Sequence, residues 1–104
     1  MSIRTSWRIP IRLDVKCFWG GKEYCGSVTN LSETGMFIDT EGMCLPEGSQ
    51  FEVMLSLKEE DLHLPVKLNR SVKTDGHCGM GVEILHPSAP YKDYVESLLY
   101  IMCV

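Results

Sequence analysis

Phe51-Glu52-Val53-Met54-Leu55-Ser56-Leu57-Lys58, the acidic turn Glu59-Glu60-Asp61, and Leu62-His63-Leu64-Pro65-Val66-Lys67-Leu68-Asn69 form two runs in which apolar and polar residues alternate. In extended chain successive side chains point to opposite faces, so each run buries its apolar set on one side and reads as a strand. Pro65 lacks a backbone donor, which predicts an edge position or a bulge at that point. Outward from this pair, Ile11, Leu13, Val15 and Cys17 interleave with Arg12, Asp14, Lys16 and Phe18 in the same rhythm. Shorter strands are expected at Tyr24–Thr29, Met36–Thr40 and Met80–Leu85. Gly20-Gly21, Pro46-Glu47-Gly48 and Asp75-Gly76 supply the turns between them.

Six short strands joined by tight turns predict an antiparallel barrel or sandwich. The period changes after Pro87-Ser88-Ala89-Pro90, where Tyr91, Val95, Leu98, Leu99 and Met102 recur at helical spacing. Ser88 is placed to cap that helix, with proline in its first turn. The stripe predicts a cover for an open barrel end. The fold class is therefore all-β with a C-terminal helix: a six-stranded antiparallel barrel or sandwich closed by one α-helix.

The chain has 104 residues, 44% hydrophobic and 23% charged, which suits one ordinary globular domain and excludes a large two-domain enzyme. No apolar run reaches the roughly 18 residues of a membrane span, and the N-terminus lacks the apolar centre of a signal peptide. Neither membrane insertion nor export is expected, and a cytoplasmic location follows. The five cysteines (Cys17, Cys25, Cys44, Cys78 and Cys103) form an odd set without a C-x-x-C spacing, so disulfides are not expected and packing is their assigned role. His63, His77-Cys78 and His86 match no zinc spacing, and no metal is expected.

The net charge of −4 argues against a general DNA or RNA binder. Its distribution is uneven. Residues 1–22 carry Arg4, Arg8, Arg12, Lys16 and Lys22 against Asp14 alone, a local balance of +4 that leaves −8 on the rest. A basic arm on an acidic body suits a small anionic partner met at one place.

Two patterns can carry chemistry. Asn30-Leu31-Ser32-Glu33-Thr34-Gly35 is a polar connection between two strand signals, offering an amide, a hydroxyl and backbone groups that can read the edge of a base. Ser32 lies in no G-x-S-x-G pattern and has no histidine placed to activate it, so no catalytic residue is assigned. Arg4-Thr5-Ser6-Trp7-Arg8 precedes Pro10 and is expected to be extended or irregular, its guanidiniums separated by about 13 Å of chain. A planar guanidinium binds phosphate, or guanine O6 and N7, through two hydrogen bonds, and also stacks on rings.

Arg4-x-x-x-Arg8 before Ile9 and a strand, then Asn30-x-Ser32-x-x-Gly35 continuing as Met36-Phe37-Ile38, resembles the PilZ domain family. Gly79-Met80-Gly81-Val82-Glu83 resembles that family's closing strand, so the likeness runs from about residue 4 to residue 100. It implies a PilZ-type six-stranded β-barrel with a C-terminal helix, acting as a non-enzymatic receptor for cyclic di-GMP with no cofactor. Arg4, Arg8, Asn30, Ser32 and Gly35 match the family's ligand-binding positions, and Trp7 stands where a large residue packs the arm or flanks a guanine. Arg12 and Arg70 are second-tier candidates for further contacts. Arg12 also closes a second register, Arg8-x-x-x-Arg12, which is disfavoured because it alternates with core residues and points outward. Ile3 supplies no third cation, which favours one ligand per chain.

The expected organisation is a flexible basic arm over residues 1–10, a barrel over 11–86 and the helix over 87–104. In this reading ligand orders the arm over the barrel and creates a surface for an unidentified downstream protein, with motility or biofilm control among the outputs. The alternative is an adaptor of the same fold acting mainly by protein contacts through Tyr91–Val104. A barrel binding single-stranded nucleic acid would need aromatic and basic residues interleaved on adjacent strands; only Phe18 and Trp19 near Lys16 and Lys22 approach this.

Overall fold

The computed structural model describes residues 8–102. Six strands precede one helix: β1 (Ile9–Trp19), β2 (Lys22–Leu31), β3 (Gly35–Thr40), β4 (Gln50–Ser56), β5 (Asp61–Thr74), β6 (His77–Ile84) and α1 (Ala89–Met102). They close into an antiparallel barrel in the order β1-β2-β3-β6-β5-β4, with β1 pairing β4 to complete the ring. Of the two architectures the periodicity allows, the barrel is the one formed.

Alternation does the work expected of it. In β4, Phe51, Val53 and Leu55 are buried while Gln50, Glu52 and Ser56 are exposed; β5 buries Leu62, Leu64, Val66 and Leu68. Val15, Cys17, Val28, Ile38, Met80 and Val82 fill the interior from the other four strands. Gly20 and Gly21 join β1 to β2 with φ of 61° and 79°, a turn that requires a left-handed conformation at both positions.

Pro65 is a partial exception to its expectation. It sits inside β5 of a closed barrel, opposite Glu52, with no bulge at that position. A strand residue directs its N–H and C=O to the same neighbour. The Pro65 carbonyl accepts from Leu85 N–H at 2.9 Å, just past the last paired residue of β6, Ile84. The donor that proline lacks therefore faces Leu85, one residue past the end of β6, so the missing bond falls at the end of the ladder.

Several element boundaries differ from the sequence reading. The barrel begins at Ile9, which is 2% exposed, so Ile9 and Pro10 belong to β1 rather than to the arm assigned to residues 1–10. β2 runs to Leu31 and β3 starts at Gly35, which shortens the six-residue connection to Ser32-Glu33-Thr34. β5 continues six residues beyond Leu68, because a bulge between Leu68 and Arg70 interrupts the alternation without ending the pairing with β6.

α1 starts where Ser88 caps it: the Ser88 hydroxyl accepts from Tyr91 N–H at 3.3 Å and its carbonyl from Lys92 N–H at 3.0 Å. The connection therefore takes residues 85–88 and the helix begins two residues after the expected boundary. Tyr91 and Val95 are fully buried in the core, and Tyr94, Leu98 and Leu99 pack against it. No described helix is long and apolar enough to cross a membrane.

Candidate functional site

The β2–β3 turn is built by its own side chains. Ser32 N–H donates to the Gly35 carbonyl at 2.8 Å, the Ser32 hydroxyl lies 3.4 Å from the same carbonyl, and Thr34 N–H lies 3.4 Å from that hydroxyl. Ser32 is buried, at 4% exposure, so its hydroxyl holds the turn together rather than facing solvent. Gly35 is required by space. A Cβ there would stand 2.6 Å from the Val82 carbonyl oxygen of β6. Ile84 N–H donates to the Thr34 carbonyl at 2.8 Å, which fixes the turn against β6.

Asn30, next to last in β2, lies half-buried just before this turn. Its Oδ1 accepts from Arg8 Nη1 at 2.8 Å, bringing together side chains 22 positions apart. The register explains the meeting: Ile9 lies opposite Leu31 and Pro10 opposite Asn30, so the chain entering β1 passes the end of β2. Arg4 and Trp7, the other candidates on the arm, lie outside the described residues.

Asn30 also begins a row across the barrel exterior. It stands opposite Phe37, Phe37 opposite Gly81, and Gly81 opposite Arg70. Directly paired residues share a face, so Asn30, Phe37 and Arg70 look out on one side with a glycine between the last two. A Cβ on Gly81 would lie 3.3 Å from Cγ of Arg70 and 3.8 Å from Cδ1 of Phe37; the stem of Arg70 therefore runs over a floor that glycine keeps low. Three strand spacings of about 4.8 Å put Arg70 roughly 14 Å from Asn30. Arg12 is placed differently. It lines a separate recess of about 850 Å³ with Lys16, Ser27, Asp39 and Met54 on the flank.

The helix reaches the same turn from inside. Tyr91 OH donates to the Ser32 carbonyl at 2.6 Å, a buried bond between residues 59 positions apart. Burial pushes the Tyr91 phenol well above its ordinary range, while the Arg8 guanidinium pulls in the opposite direction. Phe37, Gly81 and Tyr91 are thus parts of the site that residue type alone did not mark. Gly81 stood in a quoted motif, and Tyr91 carried only a helical-stripe signal. Among the described residues no three His, Cys, Asp or Glu are grouped to hold a metal.

A sequence model of the PilZ domain matches residues 2–100. The chain belongs to the PilZ domain family. No curated protein sequence matches it closely enough to name a relative. Solved structures share this PilZ fold at low identity. The Bacillus subtilis inhibitor of motility, MotI/DgrA, superposes with a TM-score of 0.81 at 16% identity, covering 99% of this chain. This PilZ chain spans about half of that protein, 53% of its length. The PilZ domain of Escherichia coli YcgR, determined with c-di-GMP, gives 0.70 at 15% identity, over 90% of this chain and 86% of that one. The PilZ domain of CeSA from a cellulose-synthesizing bacterium gives 0.67 at 20% identity, over 95% and 100%.

Proposed function

We propose that this PilZ domain is a receptor for cyclic di-GMP that works by ligand-coupled ordering and not by catalysis. The observation that carries the reading is the Arg8–Asn30 hydrogen bond, which joins the two motifs on one outer face. The ligand is a dianion with two guanines. Arg8 supplies a two-donor fork for a phosphate or for guanine O6 and N7. Phe37 offers a flat apolar surface, Gly81 a side-chain-free floor, and Arg70 a second cation beyond it. Arg4 and Trp7 complete the set in this reading, from the arm that the ligand draws over the barrel. Ser32 and Gly35 act by shaping the turn that holds Asn30 in place.

In this reading the arm closed over the ligand forms a surface, and the downstream partner is a separate protein or domain that reads it. The process controlled, motility or biofilm formation among them, follows from that partner. A cytoplasmic location belongs to the same proposal, since that is where a second messenger is met.

The test is calorimetric titration of cyclic di-GMP into the wild type and Arg8→Ala, with GTP as control. Saturable binding at micromolar affinity or tighter, weakened at least tenfold by Arg8→Ala and not reproduced by GTP, is the expected result. Absence of binding by folded wild type overturns the reading. A second reading, an adaptor working through protein contacts, draws on Tyr100 and Ile101, which are 76% and 67% exposed at the end of α1. It gains if Tyr100→Ala with Ile101→Ala removes a partner while ligand has no effect on capture.

A further inference from the structure

Cys44, on the connection from β3 to β4, and Cys78, the second residue of β6, bring their sulfurs to 2.7 Å across 34 positions of sequence. That is only about 0.7 Å longer than a disulfide bond. Neighbouring contacts hold the approach in place. The Thr40 hydroxyl, at the end of β3, lies 2.9 Å from the Met43 carbonyl and 3.3 Å from the Cys78 carbonyl, bridging the connection and β6 beside the pair. The two sulfurs border a recess of about 320 Å³ lined also by Lys73, Thr74 and His77. Of the two, Cys44 is exposed and Cys78 is buried.

We propose that Cys44 and Cys78 are a redox-active dithiol that closes to an intramolecular disulfide when a hydroperoxide enters this recess. The exposed Cys44 thiolate attacks the peroxide: a sulfur–oxygen bond forms, the oxygen–oxygen bond breaks, and the departing oxygen takes a proton. Cys44 is then a sulfenic acid. The Cys78 sulfur attacks the Cys44 sulfur, forming the sulfur–sulfur bond and expelling hydroxide, which takes up the Cys78 proton and leaves as water. Two thiols lose two electrons in total, and the peroxide is reduced to water and an alcohol, or to two waters.

The order of attack follows from the surroundings. Burial first, and the Cys44 thiol second, push the Cys78 thiol up to about 11, while the Lys73 ammonium works against them. Cys78 is therefore the resolving thiol, reacting once its partner has become electrophilic. Cys17 does not compete, because burial pushes it to about 12 in the barrel interior.

The closed pair ties the β3–β4 connection to β6. Cys78 stands opposite Thr40, at the other end of β3 from Gly35, so the proposal is independent of the ligand reading.

The full chain is treated with stoichiometric hydrogen peroxide, denatured, alkylated and mapped by peptide mass spectrometry. The expected product is a monomer with a Cys44–Cys78 linked peptide, reversible by dithiothreitol and melting several degrees above the reduced form. Cys44→Ser abolishes the link. Cys78→Ser stops at a Cys44 sulfenic acid that dimedone traps, whereas the wild type accumulates little adduct. The proposal is overturned by five free thiols after treatment, by a link through Cys25 or Cys103 or between chains, or by a lower melting temperature on closure. Cys44 is exposed, so Cys44→Ser keeps the test sound even if the buried Cys78→Ser variant folds poorly.

Discussion

Asn30, Ser32 and Gly35 share one short motif, yet each is held to its identity by a different force. Gly35 answers to sterics, since any side chain would meet the Val82 carbonyl of the neighbouring strand. Ser32 answers to the hydrogen-bond requirement of a buried turn. Asn30 alone presents its side chain to a partner, and that partner is Arg8, the residue just ahead of β1. Tyr91 supports the turn from within the core through the Ser32 carbonyl, so its hydroxyl has a measurable role. Tyr91→Phe keeps the packing but leaves the Ser32 carbonyl without this donor. A loss of about 1–3 kcal/mol is expected in urea denaturation, with unchanged barrel circular dichroism. An unchanged midpoint would mean that the bond is replaced by water at no cost.

The strands were legible wherever one face is buried and the ladder is regular, as in β4 and the first half of β5. They were illegible at bulges. Between Leu68 and Arg70, and between Val28 and Asn30, one strand spends an extra residue, the alternation slips, and a pattern of period two ends before the pairing does. These bulges lie beside the row that carries Asn30 and Arg70, so the site and the loss of pattern share a cause. The helix start was readable because capping is local. Ser88→Ala removes the acceptor of Tyr91 N–H, and a loss of about 1 kcal/mol is expected in thermal unfolding with the helix otherwise intact. A change several times larger would place Ser88 in a tertiary role beyond the cap.

Closure of the barrel sets the chemistry of the whole molecule. A ring of six strands leaves an apolar interior, and Cys17 lies fully inside it. Burial raises the Cys17 thiol from 9.0 to about 12, and Cys78 from 9.0 to about 11. The unfolded chain releases these protons first as pH rises. Native stability from both groups is therefore full below pH 9 and declines as pH climbs toward 12. Melting temperature measured under reducing conditions should fall across that window, and Cys17→Ala should flatten the fall whatever its effect at neutral pH. A melting temperature independent of pH between 9 and 12 would contradict the burial of these thiols.

Local properties of the chain determined the strand faces, the glycine turn from β1 to β2, the helix cap and the membership of two spaced motifs. Each depends on neighbours within a few residues, and so is written in order along the sequence. Tertiary structure alone decided that Arg8 meets Asn30, that Gly81 clears the floor between Phe37 and Arg70, that Tyr91 reaches Ser32, and that Cys44 lies against Cys78. Those meetings span tens of residues and depend on strand register and barrel closure. Closure is a property of all six strands together, because each buries its apolar face only when the others are in place.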